Sequence, residues 1–579
     1  MTNPSLPIPS VKAGYYQDEF DLYFETKYDG TIYYTLDGST PTENSKKYDD
    51  NGIKIRNRSD EENEYNSIQN VVTDWKDYWV STEKVPKGTV VRALYVNEWG
   101  NKSEVLTQTY WVGIEEPERG YTLSLVFEKE KFFGDEGIHV TGKDYDDWYL
   151  SENPEGESPF PNYLIKHYET DCIAELFEND NELINQQIGI RIQGASTRES
   201  RKKRFVLVSR EEYSGSELFD AEIYENTVTH SVMLKGYLTD AMTADIISDR
   251  SVAVQRSKPV RVFLNGEYWY DSYMLERYDS QYFYDHYGVD TALMVRDGWP
   301  DEDSERKWKG ETYFEFLDWV SSNDFSKEEV WQELETKIDV QSYIDYITTN
   351  YYLCNGDFTE HKNYVMWRSD TADMTSDYED ARWRWCIYDI DMIAYAAESM
   401  FYEHAAEINI FSSDLPFVDR KLNETLLFSS FKNSERFRER FVTSFMDMLN
   451  NNFSEANMEM VLEKYGYDLD WGNEFFRLRP SYAVKHLADE FELKGTINPI
   501  KITVDDPEGG KVQINTSIID LSSGSWDGEY FSDYPITITA YPNEGYVFKG
   551  WTKGVDSMDS TISITLGSEL ELQPIFEEK

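Results

Sequence analysis

Three clusters in the middle of this 579-residue chain have residue types and spacings that could do chemistry. The first is GIRIQGASTRESRKKRFVLVSR, residues 189–210. Ile188, Ile190 and Ile192 share one face of a strand, a Gly194-Ala195-Ser196-Thr197 loop follows, and Phe205 to Val208 form a second strand apolar on both faces. Lys203 stands at the mouth of that second strand. A small-residue loop leaves backbone N–H groups free for phosphate oxygens, and a lysine on the next strand can neutralise them. The same pattern also fits a hairpin with a solvated basic turn. In so acidic a chain, Arg198, Arg201, Lys202, Lys203 and Arg204 are a local reversal of sign.

The second cluster is NGDFTEHKNYVMWR, residues 355–368. An Asp that accepts a hydroxyl proton, followed on one loop by an Asn that holds a metal, is the arrangement used in phosphoryl transfer, and Asp357 and Asn363 match it. A self-bonded Asn/Asp turn is the plainer alternative. His361 on the same loop is ambiguous between an exposed and a catalytic histidine. The third cluster is RWRWCIYDIDMIAY, residues 382–395. Read as one strand, it places Trp385, Ile387, Asp389 and Asp391 on one face, about 6.6 Å between successive side chains. Carboxylates there could hold Mg, Mn or Ca, cap nearby helices, or pair with Arg382 or Arg384.

The elements that must position these residues follow from periodicity. The middle, about 120–495, runs strands first and helices later, which implies an α+β domain, two-lobed and large enough for a cleft. Val340, Tyr343, Ile344, Ile347 and Tyr351 keep helical spacing, as do Phe441, Phe445 and Met448, and Ser326 to Glu329 reads as a capping box. Residues 1–115 alternate with period two between turns, as in TIYYTLDGSTPT, and imply a small β-sandwich. Residues 500–579 alternate likewise, with Trp551 and Phe548 as core aromatics. The expected fold is multidomain, with small all-β domains flanking the central one.

A formal charge of -53 argues against a nucleic-acid partner or an anionic membrane surface, since both need basic faces. No apolar run approaches the roughly 18–20 residues of a membrane span. Three distant cysteines, Cys172, Cys354 and Cys386, make no zinc spacing and no disulfide framework. MTNPSLPIPS has no signal-peptide pattern, so the chain is either cytoplasmic or has lost its leader.

Taken together and in order, GIRIQGASTR, KKRF, PVRVFLNGEYWY with YMLER, SYIDYITTNYYLCNGDF with KNYVMWR, RWRWCIYDIDM and FFRLRPSYAVKHLADEF resemble the CotH kinase family, atypical kinases related to a spore-coat kinase. YYTLDGSTPT with VRALYVNEWGNKSEV resembles the chitobiase-type β-sandwich module. The pattern of GG, AYPNEGYVFKGW and a closing Phe resembles the InlB B-repeat. The first resemblance implies a kinase-like two-lobed fold that binds ATP with Mg or Mn, Ca being a third candidate, and phosphorylates Ser or Thr of a protein substrate. It implies Lys203 as the phosphate lysine behind Gly194 to Ser196, assisted by Arg198. Glu276 is its partner or an adenine-site residue, Asp357 the catalytic Asp, and Asn363, Asp389 and Asp391 the metal ligands. The flanking modules imply a bacterial secreted or cell-surface protein, with the cell wall or polysaccharide as further partners. The competing expectation is a non-catalytic surface adhesin or carbohydrate-associated scaffold. Removal of 1–115 or of 500–579 is expected to leave catalysis largely intact.

Overall fold

The computed structural model describes residues 4–579 except 78–79, 81, 152–155, 166–167, 180, 237, 302–307, 374, 394–403, 414–420 and 471–473. The chain is multidomain, with a central region of mixed helix and strand flanked along the sequence by β-rich regions. It divides into two compact units, Met1–Tyr237 with Arg256–His286, and Leu238–Gln255 with Tyr287–Lys579.

In the first unit, alternation in residues 14–112 builds a five-stranded sheet around Lys102–Val112 and Thr89–Asn97. Its buried face includes Ile32, Tyr34, Val91, Ala93 and Tyr110. Downstream, seven strands close into a barrel. The hairpin Glu169–Glu178 to Asn181–Gln193 leads to Arg204–Val208, and the parallel pairing of Tyr121–Val126 with Ser257–Leu264 shuts the ring. Closure removes the open edges that strands otherwise expose. The apolar run Phe205 to Val208 is buried on both faces, as its composition requires.

A buried carboxylate joins sheet and barrel. Glu175 is fully buried, and its oxygens accept the backbone N–H of Thr109 at 2.9 Å and the Thr109 hydroxyl at 2.5 Å. Burial pushes its carboxyl up from 4.5 to about 8, against the lowering effect of these hydrogen bonds. A carboxyl raised in the folded state contributes stability that is whole below its unfolded value near 4.5 and is lost as pH rises through 8. Glu175→Gln should therefore melt increasingly above wild type as pH is raised from 5 to 9. A melting difference that does not widen with pH would refute this.

The second unit holds the longer helices. Val340–Tyr352 carries the expected spacing, yet all thirteen of its residues are buried, because neighbours cover its polar side too. Asp339 caps it through the N–H groups of Gln341 and Ser342. The expected capping box at Ser326 does not form. Asp324 takes the Ser326 hydroxyl and N–H in its own turn, and the helix Glu328–Lys337 starts with Lys327 as N-cap and no side-chain bond. The C-terminal strands form two four-stranded sheets with Trp551 in the core, its indole N–H donating to the Asp559 carbonyl. One apolar cluster runs from Phe441, Phe445 and Met448 through to Ile500, Val512 and Leu572.

Candidate functional site

The second unit gathers part of the expected site on three loops. Asn363 sits just before the strand Val365–Ser369 with a left-handed backbone, φ 49°. Its amide N–H donates to the Asp357 carbonyl at 2.8 Å and to the Asp389 carbonyl at 3.5 Å. Residues 26 positions apart in sequence are thereby tied by one side chain. The third loop comes from the hairpin of Ala292–Arg296 with Trp299–Pro300, whose turn is Asp297-Gly298. Asp297 donates its N–H to the Tyr364 carbonyl at 2.8 Å and accepts from the Tyr364 N–H at 3.2 Å. Gly298 has φ 81°, and a side chain there would meet His361. His361 itself is exposed.

The single-strand reading of 385–391 is corrected. The strand spans only Arg384–Cys386, and Asp389 adopts φ 52°. A left-handed residue turns the chain, so the two-residue alternation stops before either aspartate. Asp391 follows, half-buried, and the Ile390 N–H is held by the Asp240 carboxylate at 3.3 Å. Pairing of the aspartates with Arg382 or Arg384 is not what the arginines show, since both bind Asp380.

Burial raises the carboxyl of Asp357 and that of Asp297, and the nearby charge of Asp389 raises both further. Lys362 opposes the rise at Asp357, with its ammonium 2.6 Å from the carboxylate. Carboxylate and amide oxygens are the hard donors that Mg or Mn takes, so the donor chemistry of Asn363, Asp389 and Asp391 suits such an ion. Among the described residues, no three His, Cys, Asp or Glu side chains are grouped closely enough to enclose one.

The remaining candidates lie in the first unit. Gly194, φ 112°, opens a short 3-10 turn, Ser196–Glu199. Arg198 bonds the Gly194 carbonyl at 2.7 Å and that of Leu164 at 3.2 Å. Lys203 is not at an open mouth. It has no exposed surface, and its ammonium donates to the carbonyls of Val71 and Arg198, both at 2.6 Å, and of Ser200 at 3.0 Å. It also lies 3.6 Å from the centre of the Tyr163 ring. Burial pulls the amine down to about 7. The proposed partnership of Glu276 with Lys203 is also corrected. Glu276 forms an ion pair with Arg256 at 2.5 Å and a hydrogen bond with His286 at 2.9 Å, and these hold its carboxyl low despite burial.

Asp297 and Asp240 were missed in the sequence. The first had a signal, since Asp-Gly between two apolar runs marks a hairpin turn. The second, inside the helix Thr239–Ile246, had none, because its contact with Ile390 spans 150 residues.

Residues 190–469 match the family model described as CotH kinase protein. Residues 23–110 match the one described as Fn3 associated, and residues 501–579 the divergent InlB B-repeat domain. No curated protein matches the chain. Similarity to a kinase family carries with it, in general terms, ATP and a divalent metal. No helix among the described residues is long and apolar enough to cross a membrane. Through the stretch that contains Lys203, Asp357, Asn363 and Asp389, this chain is similar to the CotH kinase proteins, with an Fn3-associated region before it and a divergent InlB B-repeat after it.

Proposed function

We propose that this chain is an atypical Ser/Thr protein kinase, secreted or displayed on a cell surface, that transfers the γ-phosphate of ATP to protein hydroxyls. The observation that carries the reading is the Asn363 amide tying the Asp357 loop to Asp389. In this reading Asp357 orients the acceptor hydroxyl and takes its proton as the new P–O bond forms and the bond to the leaving ADP breaks. Its raised carboxyl makes it a stronger base than an ordinary aspartate. Asn363, Asp389 and Asp391 would hold Mg or Mn, which when bound neutralises phosphate charge. Gly194, Ser196, Arg198 and Lys203 serve the nucleotide. The domain limits that fit are 1–115, 120–495 and 500–579.

A second reading, a non-catalytic surface scaffold, is favoured by one observation, the enclosure of Lys203 by backbone carbonyls. Labelled ATP with Mg or Mn separates the two. Wild type should transfer label to itself or to a basic or Ser-rich test protein and should melt higher with nucleotide. Asp357→Asn should lose at least about a hundredfold in transfer and keep the melting shift. No transfer and no shift in wild type would favour the scaffold.

A further inference from the structure

The enclosure of Lys203 is completed from outside its own loop. Residues 64–76, inserted between strands of the N-terminal region, run as a strap across the barrel segment 198–204, all within the first unit. Two carboxylates pin the strap, one on the barrel strand Glu267–Glu276 and one on the helix Lys143–Leu150. Glu267, almost fully buried, accepts the N–H groups of Glu64, Tyr65 and Asn66 at 2.6, 3.1 and 2.7 Å, and the Asn66 amide at 2.8 Å. Asp146 accepts the Asn70 amide at 2.7 Å and the Trp75 indole N–H at 3.1 Å. Between these anchors the strap turns its carbonyls onto the basic segment. The Asn66 carbonyl accepts from Arg201, and the Val71 carbonyl accepts from Lys203. Val71 itself is fully buried.

The chemistry of the seal is that of a substitute ligand. An ammonium has three protons, and here all three point at carbonyl oxygens, one of them from the strap. A phosphate oxygen could reach Lys203 only after a carbonyl gave way. Three consecutive N–H groups on one buried carboxylate form an anchor far stronger than a surface turn needs.

We propose that residues 64–76 are an autoinhibitory strap, which occupies Lys203 in the resting protein and must lift before the lysine can meet the phosphates of a nucleoside triphosphate. This rests on the reading of Lys203 as a phosphate lysine. A site available only in a minor, lifted state binds its ligand weakly, in proportion to the population of that state. Loosening either anchor should therefore tighten nucleotide binding.

The test uses the full chain with Glu267→Gln and, as a milder change at the other anchor, Asp146→Asn. Hydrogen exchange over 196–204 reads the strap, and affinity for a non-hydrolysable ATP analogue with Mg reads the lysine. Each variant should exchange at least tenfold faster over 196–204 and bind the analogue about tenfold tighter, and Lys203→Met added to either variant should abolish that gain. Unchanged exchange with unchanged affinity in both variants overturns the strap. Faster exchange with no gain in affinity means that the strap seals the lysine without gating a nucleotide. That result overturns the regulatory role and the phosphate assignment of Lys203 together. Equal gains with and without Lys203→Met overturn the phosphate assignment alone.

Discussion

Asp389→Asn should lower phosphate transfer at least about a hundredfold while leaving the fold intact. The substitution keeps the shape of the side chain and removes its charge. Asparagine tolerates the left-handed backbone that residue 389 adopts, φ 52°. The interaction that holds the loop uses the backbone carbonyl of residue 389 rather than its side chain, so the tie from Asn363 survives. The thermal melt of the variant reads what the side-chain charge of residue 389 contributes to stability. The Asp297 and Asp357 carboxyls should both titrate lower in the variant, because the charge that raises them has gone. Initial rates with labelled ATP at saturating metal, beside a thermal melt, measure both parts. A variant that transfers label at the wild-type rate would remove Asp389 from the mechanism. A variant that fails to fold would show that the residue is structural.

Asp447→Ala should destabilise the second unit by about 3 kcal/mol or more. Asp447 lies in the helix Glu435–Asn450 and has no exposed surface. One carboxylate oxygen accepts the Asn515 amide at 2.9 Å and the Tyr530 hydroxyl at 2.7 Å. The other accepts the N–H and hydroxyl of Thr516 at 2.9 and 2.7 Å. Truncation to alanine removes the acceptor of all four donors, among them the buried Tyr530 hydroxyl. It also withdraws a negative charge from the neighbourhood of Arg250, which spans the same junction through Ser517 at 2.9 Å and Asp345 at 2.7 Å. Removing residues 500–579, which the sequence expects to leave catalysis largely intact, should therefore cost stability. Their apolar residues belong to the same buried cluster as the helices, and cutting them away exposes the part of that cluster they cover to water. Chemical denaturation should show a lower midpoint for Asp447→Ala, and the chain ending at 495 should be less soluble and less active than the full chain. A truncated protein with wild-type midpoint and activity would refute the coupling.

The N-terminal region is coupled to its own unit by the same means, a buried carboxylate that receives donors from the flank. Glu175 receives Thr109, and Glu267 receives the strap. Each flank in this chain is thus joined to its unit through polar groups that lose their partners if the flank is removed.

The sequence by itself determined what local rules and ordered motifs can carry. Period-two runs located the strands of 1–115 and 500–579, helical spacing located Val340–Tyr352 and Glu435–Asn450, and the order of several motifs pointed to the CotH kinase proteins that 190–469 matches. Where a single residue left its regular backbone, local rules failed. The left-handed turn at Asp389 ended a strand that alternation would have extended, and Asp324 took the hydroxyl that a capping box needed. Only the tertiary structure decided the partners of the ionisable groups. Lys203 met the carbonyl of Val71, 132 residues away, and Glu276 met Arg256 rather than Lys203. The physical reason is that burial drives polar groups to find partners, while nothing in a one-dimensional pattern says which distant backbone will supply them.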